Sequence, residues 1–163
     1  MNPYRIVAIS LVLLLAACNR SKTISTPGGD VKVEESGKAG QSKVTFTGKN
    51  GESMTINSEG GKLPDDYPKD VPVASGAKIV MATSVNNAEN KGSSLVLESA
   101  DSFDNTVAFY KKGLADNGWK VDATIAAEKM TMLTAAKDTR QLVVQIGESD
   151  GKTSVTQHLG VKK

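Results

Sequence analysis

Three aspartates in a proline-rich stretch, Asp65, Asp66 and Asp70, are the residues best suited to chemistry. Carboxylates that lie close together can hold Ca²⁺ through oxygen ligation, or a metal ion that serves a hydrolase. Their spacing matches no EF-hand loop, and two of the acids are adjacent, which is typical of a solvated turn with capping aspartates. We therefore predict no bound metal and no cofactor, with a metal-dependent hydrolase that uses this loop as an alternative.

The single histidine, His158, is the other natural candidate for a general base or a metal ligand. In the last predicted strand it alternates with the apolar Val155 and Leu159, so His158 falls on the face that is not packed, among hydroxyl side chains. Met130 and Met132 share a strand face and could bind copper. Nothing thiolate-like or imidazole-like accompanies them, which favours a role as core filler. We predict that the protein is not an enzyme.

Cys18 is the only cysteine, and it follows two small residues near the N-terminus. Arg5 precedes an apolar segment, residues 6–15, which is too short to span a bilayer and typical of a signal peptide. The sequence Leu-Ala-Ala-Cys at positions 15–18 resembles the lipobox of bacterial lipoproteins. This resemblance implies cleavage before Cys18 and lipidation of its sulfur, with palmitate among the attached chains. A lipidated sulfur excludes thiol catalysis and cysteine-based zinc sites.

The lipobox resemblance also implies where the protein resides. The membrane is the expected partner through the N-terminal lipid, and the expected location is the cell envelope. In Gram-negative lipoproteins, an aspartate directly after the lipidated cysteine retains the protein at the inner membrane, whereas this chain has Asn19. The resemblance therefore implies the outer membrane, facing the periplasm.

Composition excludes other functional classes. The chain has 163 residues and a formal net charge of +2, which leaves no electrostatic footprint for nucleic acid, so we predict no nucleic-acid partner. Aromatic residues make up 4% of the chain, too few for rows that stack on bases or sugars. The length is sufficient for one domain that buries a core without disulfides.

Changes in composition divide the chain into four parts. Residues 1–17 form the predicted signal peptide, and residues 18–29 are small, polar and rich in glycine, which predicts a flexible, lipidated tether. Residues 30–62 contain short alternating segments separated by glycine-bearing turns, which predicts a small β-meander. A connector with three prolines then opens the predicted main domain, residues 63–163.

Within the main domain, alternation predicts strands and one change of period predicts a helix. Apolar residues at i, i+4, i+7 and i+11 form the stripe of that helix: Phe103, Val107, Tyr110 and Leu114. Asp101 or Ser102 can cap it, and Gly118 is predicted to end it with Trp119 in a Schellman motif. The element order is β-β-α-β-β-β-β. The predicted fold class is therefore α+β, an antiparallel sheet packed on one helix, preceded by the β-meander and the tether.

The strand phase predicts which residues face the helix. The predicted core residues are Ile79, Met81, Leu95, Leu97, Trp119, Val121, Ile125, Met130, Met132, Leu142, Val144, Ile146, Val155 and Leu159. One helix covers only one face of a sheet, so we expect the opposite face to be open or loosely covered by the meander. Its apolar residues are the predicted binding site for an envelope protein or peptide: Val80, Val96, Leu133 and Val143.

Residues 63–160 carry two further resemblances. The connector, with residues 75–77 and the Gly118-Trp119 pair, is similar to a motif of small exported bacterial domains, from which it departs at residues 74–75. That resemblance implies no reaction. The element order is similar to the helix-grip domains of lipoprotein subunits of the outer-membrane β-barrel assembly machine. We therefore predict a lipid-anchored, non-enzymatic binding or assembly module, with a purely structural lipoprotein as a second alternative.

Overall fold

The structure is a computed structural model that describes residues 20–35, 41–58, 63–64, 67–87 and 91–161. These residues form one ten-stranded sheet and a single 14-residue helix. The elements are β1 (Arg20–Thr26), β2 (Gly29–Glu35), β3 (Ser42–Gly48), β4 (Ser53–Ser58), β5 (Lys78–Asn86), β6 (Lys91–Ser99), α1 (Phe103–Asp116), β7 (Lys120–Ala127), β8 (Met130–Lys137), β9 (Arg140–Ser149) and β10 (Lys152–Val161). The strand order is β1-β2-β3-β4-β5-β6-β10-β9-β8-β7, and all neighbours are antiparallel.

The predicted α+β class is wrong, because the described chain is mainly one antiparallel sheet with a single short helix. The predicted meander is not a separate layer, since β4 pairs with β5 and continues the sheet. Within the predicted tether, residues 20–26 form β1, where Ile24 pairs with Val31. Strands this short gain stability by adding backbone hydrogen bonds to an existing sheet, an effect that composition alone does not reveal.

Helix α1 begins and ends where the sequence predicts. Ser102 is the N-cap, and its hydroxyl accepts a hydrogen bond from the backbone N–H three residues on, at 3.5 Å. At the other end, Gly118 has a φ of 74°. The Gly118 N–H donates to the Ala115 carbonyl at 3.0 Å, and the Trp119 N–H donates to the Leu114 carbonyl at 2.9 Å. These two bonds confirm the predicted Schellman motif.

The core lies between the sheet and a layer formed by α1 and the connector before β5. Tyr110 and Leu114 of the helix are fully buried, and Tyr67 and Val71 of the connector pack into the same cluster. Helix and connector approach closely at Gly113, where a Cβ would lie 2.9 Å from a Pro72 side-chain carbon. The fully buried strand residues include Leu95, Leu97, Leu133, Leu142, Val144, Ile146 and Val155. We call this side of the sheet the helix face and the opposite side the uncovered face.

Strand β8 has the opposite phase to the prediction. Leu133 and Ala135 are buried on the helix face, whereas Met130 and Met132, predicted as core, lie on the uncovered face. The β8 sequence carries apolar residues in both phases, so alternation alone leaves the choice open. The register with β9 decides it, because it sets Leu133 opposite the buried Val144.

Two β-bulges and an exposed edge explain the other errors in the predicted core. The register shifts between Ile79 and Met81 of β5, so Ile79 packs against the core while Met81 is 42% exposed. A second shift lies between Val121 and Ala123 of β7. All residues of this edge strand are exposed, so Val121 and Ile125 are not core residues.

The apolar side of the sheet changes between its two halves. Directly opposite residues of antiparallel strands share a face, and the pairs Val44–Ile56 and Ile56–Thr83 connect the apolar residues of β1–β4 to the uncovered face. We call these residues the apolar patch: Ile24, Val31, Val33, Val44, Phe46, Met54 and Ile56. Among the described residues, the buried apolar core contains no member of β1–β4.

Candidate functional site

Asp70 is the one member of the predicted aspartate loop that the structure describes, because Asp65 and Asp66 lie outside the described residues. Both of its carboxylate oxygens accept hydrogen bonds. Arg140 donates to them at 2.9 and 2.7 Å in a bidentate pair, and Lys137 donates at 2.7 Å. A metal ion at Asp70 would have to displace two cations, so the geometry is that of a structural ion pair.

The hydrogen bonds from Arg140 hold the pKa of Asp70 well below its usual range, against the opposing effect of burial and with further support from Lys137. The same pairing raises the pKa of Arg140. The Asp70 side chain is 27% exposed, so the ion pair is only partly screened by water. Because Lys137 ends β8 and Arg140 begins β9, the carboxylate ties the connector to the β8–β9 hairpin.

Trp119 completes the ion-pair cluster. Its indole N–H donates to the Asp70 backbone carbonyl at 2.8 Å, and the Arg140 guanidinium lies 4.9 Å from the ring centroid. The ring is 4% exposed, as expected for the residue that closes the helix onto the sheet. Lys137 also donates to the Asn117 carbonyl at 2.7 Å. The cluster therefore joins the helix end, the connector and the hairpin.

A buried polar network centred on Gln157 was missing from the sequence prediction. Its amide donates to the Pro72 carbonyl at 2.9 Å and to the Tyr110 hydroxyl at 2.9 Å, while the Tyr67 hydroxyl donates to its carbonyl oxygen. Burial raises the pKa values of both tyrosines. The sequence does contain an indication of this network, because Gln157 lies in the same buried phase of β10 as Val155. A polar residue in an apolar phase indicates a buried hydrogen-bonding partner.

The structure separates the four predicted binding residues. Val96 and Val143 are half-buried on the uncovered face, and Val80 is half-buried at the bulge of β5. Leu133 has no exposed surface and packs on the helix face, so its assignment to a binding site is wrong. The register of β8 with β9 places Met132, and not Leu133, on the uncovered face.

These residues belong to a group on β6, β8, β9 and β10 that combines apolar and polar side chains. We call this group the mixed patch: Val96, Met132, Val143, Gln145, Thr156 and His158. Cross-strand pairing sets Val96 opposite Thr156, and His158 opposite Val143. His158 is exposed on this face, as its strand phase predicts.

A shallow depression of about 260 Å³ adjoins the mixed patch and is lined by Gln141, Val143, His158, Leu159, Gly160 and Val161. Within the described ranges, no group of three His, Cys, Asp or Glu side chains is placed to hold a metal ion. The described part of the chain likewise contains no helix long and apolar enough to cross a membrane. The predicted lipidation site, Cys18, lies outside the described residues.

Together these features define a mainly antiparallel β-domain with one packed helix. Residues 79–152 match the family model described as START domain-like, which supports a small domain in this part of the chain. The chain is similar to that family from β5 to the start of β10, while β1–β4 lie outside the match. No curated protein and no solved structure matches the chain.

Proposed function

We propose that this chain is a bacterial envelope lipoprotein, anchored through Cys18, whose β-domain binds a protein or peptide partner on the mixed patch without catalysing a reaction. One observation carries the binding role. The helix and the connector both pack on the helix face, while the mixed patch presents half-buried apolar side chains on the uncovered face.

The chemistry of the mixed patch suits a protein partner. Val96, Met132 and Val143 provide apolar contact, and Gln145, Thr156 and His158 provide hydrogen-bonding groups between them. Non-obligate protein interfaces likewise combine non-polar and polar surface in comparable amounts. A small-molecule site is less suitable, because the adjoining depression of about 260 Å³ falls below the roughly 300–1,000 Å³ of typical ligand pockets.

The anchor rests on the sequence around Cys18. The short apolar segment and the two alanines before the cysteine support cleavage and lipidation there. Asn19 favours the outer membrane over retention at the inner membrane. Long acyl chains contribute about 0.8 kcal/mol per buried methylene, so two or more of them hold a protein on a membrane.

The hydrolase alternative loses support from the surroundings of Asp70. Both of its carboxylate oxygens accept hydrogen bonds, from Arg140 and Lys137, which leaves neither oxygen free for a metal ion or a substrate. A purely structural lipoprotein differs from the proposed binding module by lacking a specific contact on the mixed patch. A site-directed crosslinking experiment separates these two.

A photo-crosslinking residue at His158, in the full chain expressed in intact cells, tests the binding role. The matched control places the same residue at Lys111, which is exposed on α1. We expect a discrete crosslinked adduct from position 158 at least about fivefold stronger than from position 111, and we expect Val143→Lys to abolish it. Equal yields at both positions, or an adduct that persists in Val143→Lys, would contradict binding at the mixed patch.

A further inference from the structure

Three of the seven residues of the apolar patch are exposed, and the other four are half-buried. Ile24 is 48% exposed, Met54 is 40% exposed and Phe46 is 37% exposed. Four consecutive strands contribute to it, and Val31, Phe46 and Met54 are direct cross-strand neighbours. A contiguous apolar surface of this kind marks a contact with a partner or with a membrane.

The helix face of the same four strands is entirely polar. Its residues are Ser21, Thr23, Ser25, Asp30, Lys32, Glu34, Lys43, Thr45, Thr47, Ser53, Thr55 and Asn57. It includes the Lys32–Glu34 ion pair at 2.7 Å, which lowers the pKa of Glu34. On the same side as the apolar patch, the charged side chains that the structure describes lie only at its margin. Lys22 is on the edge strand β1, and Glu35 is at the end of β2. One side of β1–β4 therefore suits water, and the other suits a nonpolar environment.

The position of β1 in the chain identifies that environment. Strand β1 begins at Arg20, two residues after Cys18. Two residues span at most about 7 Å when fully extended. The Cα atom of Cys18, the residue that would carry the lipid, therefore lies within about 7 Å of the Cα atom of the first residue of β1. A long tether, which would let the domain leave the bilayer surface, is absent between the cysteine and the described strand.

We propose that the apolar patch of β1–β4 lies on the lipid bilayer and fixes the orientation of the domain at the membrane surface. This inference rests on the proposed lipidation of Cys18. Ile24, Phe46 and Met54 enter the boundary between headgroups and acyl chains, while the polar face of the same strands stays in water. Lys22 lies beside the lipid headgroups.

The twist of the sheet separates this contact from the mixed patch. Neighbouring strands rotate by about 20–25° each, and five steps lead from β3 to β9 across the sheet, a rotation of about 100–125°. The β9 part of the mixed patch is therefore turned away from the direction in which the apolar patch faces, whereas Val96 on β6, three steps from β3, is turned by only about 60–75°. A domain held in this way keeps the β9 part of its binding surface at a constant angle to the bilayer.

Quenching of single fluorophores by lipid tests the orientation. The lipidated full chain has no free thiol once Cys18 is modified, so Phe46→Cys and Met54→Cys each provide one labelling site. The matched control is Thr47→Cys, which is exposed on the polar face beside Phe46. The proteins are reconstituted in vesicles of phosphatidylcholine and phosphatidylglycerol that contain a fraction of nitroxide-labelled lipid. We expect at least threefold stronger quenching at positions 46 and 54 than at position 47.

Equal quenching at all three positions, or none at positions 46 and 54, overturns the proposal. Disulfide-linked dimers between unlabelled Phe46→Cys copies, with no quenching at that position, overturn it in favour of a second copy on the patch. Incorporation of labelled palmitate, lost in Cys18→Ser, separates these outcomes from failure of the anchor. If wild-type protein takes up no palmitate, the proposed anchor fails and the membrane contact fails with it.

Discussion

Strands β1–β4 and strands β5–β10 share one hydrogen-bonded sheet but differ in what lies on their faces. In β6, β8, β9 and β10, one face is buried beneath α1 and the connector, and the fully buried leucines and valines lie there. In β1–β4 the backbone pairing is equally regular, yet the described residues contribute nothing to the buried core. Their apolar residues lie on the opposite side of the sheet.

This difference shows that continuity of backbone pairing and continuity of packing are separate properties. Hydrogen bonds join β4 to β5 and hold the first four strands in register. Among the described residues, the fully buried apolar core, which supplies most of the stability, is confined to the second half and the connector before it. The first half is therefore expected to depend on the second for its stability, and to keep its apolar side available for an external partner.

The largest expected effect comes from two neighbouring residues on opposite faces of β8. Leu133→Lys places a charge in the buried core and should destabilise the protein by about 4 kcal/mol or more, enough to unfold it. Met132→Lys, on the uncovered face, should change the free energy of unfolding by less than about 1 kcal/mol. Urea unfolding followed by circular dichroism measures both. An equal loss of unfolding free energy in the two variants would show that Met132 and the mixed patch are buried as part of a core.

A smaller contrast separates an aromatic residue of each half. Trp119→Ala removes a ring that is 4% exposed and should cost about 3–5 kcal/mol. Phe46→Ala removes a ring that is 37% exposed and should cost about 1 kcal/mol. The same unfolding measurement, made on protein in the absence of membranes, compares the two. If Phe46→Ala lowers the free energy of unfolding as much as Trp119→Ala does, then Phe46 is packed against other residues. The two halves of the sheet would then not differ in their burial.

The smallest expected effect is the pH dependence of the ion pair that ties the connector to the second half. Arg140 and Lys137 lower the pKa of Asp70 in the folded state, so its stabilisation is present above pH 4 to 5 and is lost as the pH falls below the usual range of an aspartate. Asp70→Asn should cost about 1–3 kcal/mol at pH 7, and its difference from wild type should shrink progressively below about pH 4.

Urea midpoints between pH 7 and pH 3 measure this convergence. Asp116→Asn serves as the control, because that carboxylate pairs with Lys112 on the exposed surface of α1 and should contribute less than about 0.5 kcal/mol at any pH. A constant difference between Asp70→Asn and wild type across this range would show that the carboxylate has no special role in holding the connector.

Local sequence determined the features that depend on a few neighbouring residues. Ser102 and Gly118 determine the ends of α1, and the backbone N–H of Trp119 makes the hydrogen bond to the Leu114 carbonyl that the Schellman motif requires. Alternation was equally informative where it was clean, as in β9 and β10. The apolar residues Leu142, Val144 and Ile146 of β9 share one phase, as do Val155 and Leu159 of β10, and the other phase is polar or half-buried.

Tertiary structure decided what alternation left open. In β8 both phases carry apolar residues, so the partner strand selected Leu133 over Met132 for the core. In β5 the bulge after Ile79 places Met81 on the opposite face of the sheet from the one that alternation predicts. The local composition gives no indication of this bulge. The joining of β1–β4 to the second half could not be read from the sequence either, because strand pairing uses backbone groups that all residues except proline carry in full. Side-chain pattern specifies the faces of a strand, whereas its place in a sheet is set by which backbone edge remains free to pair.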